Sequence, residues 1–250
     1  MRAERVIEYG IRAGATLLLA ALAWLVLIRM AASAPTSLPG VPMTEMEPGF
    51  VALALMWMIM MAAMMLPGTL PVLTIFAGIQ RGRRAGADHW VPTWMFLGGY
   101  LLTWSGFSLV AAGVQETLHR VTWVSSTMVS ARPALSATLL IAAGVYQWVP
   151  AKHRCLSHCR SPIGFLMSGW REGLFGALNM GLRLGVWCVG CCWVVMLLLF
   201  VGGVMNLRWV VLLAVFLAAE RLLPRGELIG RVGGVVAVAW GLFLAAASLR

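Results

Sequence analysis

Apolar residues in this chain neither alternate nor repeat on a single helical face. They run on for stretches of about twenty residues, broken by short groups of arginine, proline and glycine. Seven such runs cover residues 13–32, 50–79, 90–114, 133–149, 184–204, 207–223 and 230–249. A helix needs ~20 apolar residues to cross the hydrocarbon of a bilayer, and inside it every backbone N–H and C=O must be satisfied within the segment. The pattern predicts an all-α fold: a polytopic transmembrane helical bundle of about seven spans, with residues 1–250 forming a single integral membrane domain. A barrel is excluded, because barrel strands alternate apolar and polar positions.

The breaks between runs carry their own signals. Arg2, Arg5 and Arg12 precede the first run, which ends at Ala32-Ser33-Ala34, a sequence resembling a signal-peptidase site. Pro35 follows directly and the run is longer than a leader's apolar core, so a retained first span is expected. Pro35 to Pro48 reads as a loop with four prolines and the acidic pair Glu45 and Glu47. Pro67 and Pro71 are expected to kink or end the second helix. Residues 150–171 read as a basic cytoplasmic Cys/His loop, and Glu172 to Arg183 as a glycine-rich helical lead-in to the fifth span.

Composition agrees with the membrane reading. The chain is 61% hydrophobic and 11% charged, where soluble domains carry about a quarter of their residues as charges. The net charge of +10 reads as arginine held in cytoplasmic loops rather than as a nucleic-acid surface. With seven spans and the N-terminus inside, fourteen Lys and Arg residues fall on the cytoplasmic side and five (Arg29, Arg120, Arg132, Arg208, Arg250) outside. The asymmetry predicts N-terminus inside and C-terminus outside, in a bacterial-type inner (plasma) membrane. There is no internal repeat of the kind that builds inverted-repeat transporters.

The chemistry lies in sulfur. Cys188, Cys191 and Cys192 fall within five positions inside an apolar run, and a helix puts the first on the same face as the other two. Three thiolates can hold Cu(I), or Zn(II) with a fourth ligand. A single membrane cysteine is most often a small buried apolar residue; the spacing of three is what points to a site. Cys155, His158 and Cys159 would likewise share a helix face, giving two sulfurs and a nitrogen. The plainer alternative is a basic loop with incidental cysteines. Lys152, Arg154 and Arg160 beside them would favour thiolate, and would equally suit lipid phosphates. Five cysteines next to cytoplasmic sequence do not read as a disulfide framework.

Methionine is concentrated too. Met56, Met58, Met60, Met61, Met64 and Met65 fall within ten residues, and with Met43 and Met46 they make half of the sixteen in the chain. Met60, Met61 and Met64 would share a broad face with Trp57. Thioethers are soft, neutral ligands that can sit in lipid without the cost of a charge. Methionine as gap-filler between helices is the even-handed alternative. Glu116 and the pair Glu220-Arg221 close spans and are expected at membrane interfaces. Gln147, Asn179 and Asn206 are expected as interhelical hydrogen-bond partners, and Trp90, Trp123, Trp148 and Trp170 in interfacial belts. No phosphate-binding loop, nucleophile elbow or zinc-protease motif is present, so catalysis is not the expected role.

Three blocks carry a family resemblance. They are Trp57 through Pro67 with its Met64-Met65-Leu66-Pro67 core; Tyr146 to Pro162 with Lys152-x-x-Cys155-Leu156-x-x-Cys159-Arg160-x-Pro162; and Gly185 to Met196 with Cys188-x-Gly190-Cys191-Cys192-Trp193-x-x-Met196. Glu220-Arg221 adds an acidic-basic pair at a span end. Over most of residues 50 to 222 the chain resembles the predicted metal-binding integral membrane proteins, whose better-understood relatives look like copper chaperones serving tyrosinase-type copper enzymes. The resemblance implies metal handling without fixing the direction of transfer.

The expected function is binding and transfer of a soft metal ion, Cu(I) first and zinc second, as a copper chaperone or transporter. The candidate ligands are Cys155, His158, Cys159, Cys188, Cys191, Cys192, Met60, Met61 and Met64. The ion would enter at the outer methionine-rich segment and end at the cysteine clusters near the cytoplasmic face. Expected partners are the bilayer, the metal ion, a client copper enzyme or soluble metallochaperone, and a second copy of the chain; nucleic acid is excluded. Two other classes remain open: a membrane thiol-redox protein, using the Cys-x-x-Cys spacing of Cys188 and Cys191, and a non-catalytic assembly subunit.

Overall fold

The computed structural model describes residues 2–32, 49–83, 90–121 and 133–248. The proline-rich loop with Met43, Met46, Glu45 and Glu47, the Ser33–Pro35 signal-peptidase match and Trp123 lie outside them. Among the described residues the fold is helical and has no strand. Ten helices follow one another: α1 (Arg2–Ala32), α2 (Phe50–Arg83), α3 (Trp90–Arg120), α4 (Pro133–Tyr146), α5 (Pro150–Arg160), α6 (Pro162–Ser168), α7 (Gly173–Leu197), α8 (Leu199–Gly202), α9 (Leu207–Leu222) and α10 (Gly226–Ser248).

Five stretches are long and apolar enough to cross a bilayer: Gly14–Ala32, Phe50–Gly82, Val91–Arg120, Gly173–Gly202 and Gly226–Ser248. The bent pair α4–α5 makes a sixth if it counts as one broken span. The remaining expected span, the sixth at residues 207–223, corresponds to α9, whose 16 residues fall short of a full crossing. The breaks have local causes. Pro150 cannot continue α4, and Val149 before it is pushed to extended backbone, so the chain turns by 66° into α5. Gly173 opens α7 at φ +79°, a conformation a side chain would strain. At α9, the Asn206 side chain accepts from the Trp209 N–H at 3.4 Å, so this asparagine is a helix cap and not the expected interhelical bridge.

Pro67 and Pro71 do not end α2, which runs through both as 34 helical residues. Nearby threonines bond back onto the loosened ladder: Thr69 Oγ1 donates to the Leu66 carbonyl and Thr74 Oγ1 to that of Leu70. The carbonyls the prolines themselves leave without an i→i−4 donor are those of Ala63 and Pro67.

The core is built from α2, α3 and α7. In the most apolar window of α7, 61% of residues are buried, against 17% in α1 and α10, which lie at the periphery. Glycines set the helix spacing. A Cβ on Gly181 would come within 1.9 Å of the Phe96 carbonyl oxygen, and one on Gly99 within 2.2 Å of that of Leu178. With Gly185 against Thr103, these contacts show α3 and α7 running parallel. On the opposite side, Gly144 meets Gly234 and Val238, while Gly241 meets Ala137 and Ile141, so α4 and α10 run antiparallel.

The segment expected as a cytoplasmic loop is instead the two helices α5 and α6. Lys152 and Leu156 of α5 are each 1% exposed, and α5 packs against α7. The reason is chemical: Lys152 has a buried partner to reach.

Candidate metal centre

Cys188, Cys191 and Cys192 lie near the middle of the Gly173–Gly202 span, all at 2% exposure or less. That is deeper than the cytoplasmic edge where they were expected, because α7 starts eleven residues before Leu184. All five cysteines are free thiols. Helical spacing puts the three side by side. Cys191 and Cys192 both donate back to the Cys188 carbonyl, at 3.1 and 2.9 Å. The Cys188 sulfur lies 2.9 Å from the Tyr100 hydroxyl, supplied by α3.

Helix α5 adds the other two. Cys159 is half-buried and packs against the core to which Cys188, Cys191 and Cys192 belong. Cys155 packs onto Gly190, where a Cβ would come within 2.8 Å of its sulfur. A side chain at Gly190 would displace the Cys155 sulfur from this position, and the Tyr146 hydroxyl donates to the Gly190 carbonyl. The two cysteine blocks, thirty residues apart in sequence, share one place in the fold.

His158 does not join them. Its ring stacks on Trp187 at 4.2 Å and 6°, and its Nδ1 is bonded to the Arg154 carbonyl at 2.8 Å. Among the described residues, no group of three or more His, Cys, Asp or Glu side chains is arranged as a metal-ion ligand set. Two-coordinate binding of a soft monovalent ion needs only two sulfurs. The donors fit such an ion: they are soft, water is excluded, and the nearby carboxylate is already engaged.

Met60, Met61 and Met64 are all buried, at 5% exposure or less, in the core face of α2. Helical spacing aligns Trp57, Met61, Met64 and Gly68 on that face. Gly68 is the link to the thiols: a Cβ there would lie 3.4 Å from Arg221 Nη1. At the far end, Trp57 Nε1 donates to Gln115 Oε1 at 2.6 Å, and the Trp57 ring packs on Phe200 at 5.7 Å.

Two groups were misplaced by sequence reasoning. Glu220 and Arg221 were expected at a membrane interface; they are 3% and 8% exposed, inside the protein. Arg221 Nη2 lies 3.3 Å from the Cys192 sulfur and 3.6 Å from that of Cys191. Glu220 is ion-paired with Lys152, whose ammonium also donates to Gln147 Oε1. Gln147, expected as an interhelical partner, lies in the turn between α4 and α5 and makes this bond locally, to a residue five positions on. The cost of ionisable groups inside an apolar run could have marked Glu220-Arg221 as functional. Nothing in the spacing identified Tyr100.

Residues 54–244 match the family model described as PpoB2, copper chaperone. Searches of curated proteins and of solved structures found no match.

Proposed function

The chain belongs to the PpoB2 copper-chaperone family, and from that premise we propose that it carries Cu(I) within the inner membrane on the buried thiols of α5 and α7. Copper here is cargo, taken up and passed on. The observation that carries the reading is that α5 packs on the cysteine turn of α7, with the Cys155 sulfur against Gly190 between Cys188 and Cys191, in a core closed by Tyr100 and Arg221. Cysteine thiolates select soft monovalent copper over hard ions. Two thiolates hold the ion at a time, drawn from Cys188, Cys191, Cys192 and Cys159, and Cys155, packed on Gly190, is the sulfur on the open flank.

The methionine face of α2 is the approach. Met61 and Met64 stand on the helix face that brings Gly68 against Arg221, and exchange from thioether to thiolate lets the ion move without full rehydration. His158, turned to Trp187 and Arg154, is left out of the ligand set. Seven crossings, with the N-terminus inside and the C-terminus outside, complete the reading. The charge asymmetry supports it, as do the parallel run of α3 with α7 and the antiparallel run of α4 with α10, with α4–α5 as one broken crossing and α9 as another. A copper enzyme of tyrosinase type, implied by the family resemblance, is the proposed recipient.

The test is elemental analysis of the full chain purified in detergent under reducing, anaerobic conditions, beside Cys191→Ser and Cys155→Ser. About one copper per parent chain is expected, with most of it lost in Cys191→Ser and a smaller loss in Cys155→Ser. Equal metal content in all three defeats the proposal.

A further inference from the structure

Arg221 is the charge in this core that has no opposite charge. Its neighbour Glu220 is ion-paired with Lys152, and those two cancel. The Arg221 guanidinium faces the thiols of Cys191 and Cys192, whose neighbour Cys188 is joined to Tyr100. Nη2 reaches two of the sulfurs, while Nε has no hydrogen-bond partner. No carboxylate among the described residues forms an ion pair with it. A guanidinium does not lose its proton in a protein. Leaving one buried and unbalanced is strongly destabilising, so a retained arginine in such a place implies an anion that belongs beside it. The side chain lies against α2 at Gly68, where an added Cβ would be in ordinary contact with it at 3.4 Å.

We infer that Arg221 is the counter-charge of an anionic two-thiolate Cu(I) complex, and that it sets the preference for a monovalent cargo; the inference rests on the copper-carrier reading above. The ledger is simple. Cu(I) contributes one positive charge and two cysteine thiolates contribute two negative ones, leaving the complex with a single negative charge. Arg221 brings the sum to zero. A divalent ion on the same two thiolates is already neutral, and Arg221 beside it remains an uncompensated positive charge in a low-dielectric core. Arg221 thus acts on the cargo through charge and through its contacts with Cys191 and Cys192, as a specificity-determining residue and not as a ligand.

The experiment measures Cu(I) affinity of the full chain in detergent against a chromophoric Cu(I) chelator, and Zn(II) affinity against a zinc indicator. It compares the parent with Arg221→Lys, Arg221→Met and Arg221→Gln. Removing the charge is expected to weaken Cu(I) by about tenfold or more and to leave Zn(II) unchanged or tighter, so the Cu(I)-to-Zn(II) preference falls. Lysine, which keeps the charge, is expected to hold Cu(I) within about threefold of the parent. A merely structural arginine would lower both affinities together, and that result overturns the inference. So does a neutral variant that binds Cu(I) like the parent. If neither neutral variant folds, Arg221→Lys decides: retained preference supports the inference and a tenfold loss of Cu(I) overturns it. A parent chain that binds no Cu(I), or that binds it equally after Cys191→Ser, removes the carrier reading itself. A parent that needs its cysteines but ignores Arg221 removes only this inference.

Discussion

Lys152 shows how a single side chain can hold a membrane protein's interior together. It is 1% exposed and reaches both Glu220 and Gln147. Removing one partner of such a pair leaves the other charge buried and alone, at a cost of about 3–5 kcal/mol. Lys152→Met is therefore expected to lower the thermal midpoint of the detergent-solubilised chain sharply. Lys152→Met combined with Glu220→Gln is expected to recover much of the loss, because the stranded carboxylate is gone. A double variant no more stable than the single one would show that the pair is not the source of the effect.

At the scale of elements, two helix contacts matter most. The α3–α7 seam brings Tyr100 to Cys188, and it depends on backbones approaching without side chains between them. Gly181→Leu drives a Cβ into the Phe96 carbonyl and is expected to cost about 3 kcal/mol or more, seen as loss of folded yield in size-exclusion chromatography. Gly98→Leu, on the exposed side of α3 with nothing within 4 Å of a new Cβ, is the control and is expected to behave like the parent. The second contact is α5 on α7. The Lys152 ion pair and the burial of Leu156 hold α5 there, and its Cys155 comes to rest on Gly190 of α7.

For the whole molecule, the open matter is which way it sits in the membrane. Arg120 at the end of α3 and Arg225 between α9 and α10 are both exposed and lie on opposite sides in the seven-crossing arrangement. In a cysteine-free background, Arg120→Cys is expected to react with a membrane-impermeant maleimide added to intact cells. Arg225→Cys is expected to react only after the membrane is opened. The reverse pattern would invert the topology, and labelling of both in intact cells would reject an odd number of crossings between them.

Much of this was legible along the chain. Continuous apolar runs dictate spanning helices, because a backbone in lipid has nowhere else to place its hydrogen bonds, and an all-helical protein with long apolar spans is what the structure contains. The soft-ligand inventory was readable as well, since residue type alone decides whether a side chain prefers copper or calcium. Local spacing placed Cys188 beside Cys191 and Cys192, and Trp57 beside Met61 and Met64. The partnership of α5 with α7 was not readable, nor was the burial of Glu220 and Arg221. A basic segment between spans looks the same in one dimension whether its lysine faces water or a carboxylate 68 residues away. Neighbours on a helix face are set by its pitch; the packing of α5 on the cysteine turn of α7, and of Arg221 from α9 on the same turn, depends on contacts between distant segments, which exist only once the chain has folded.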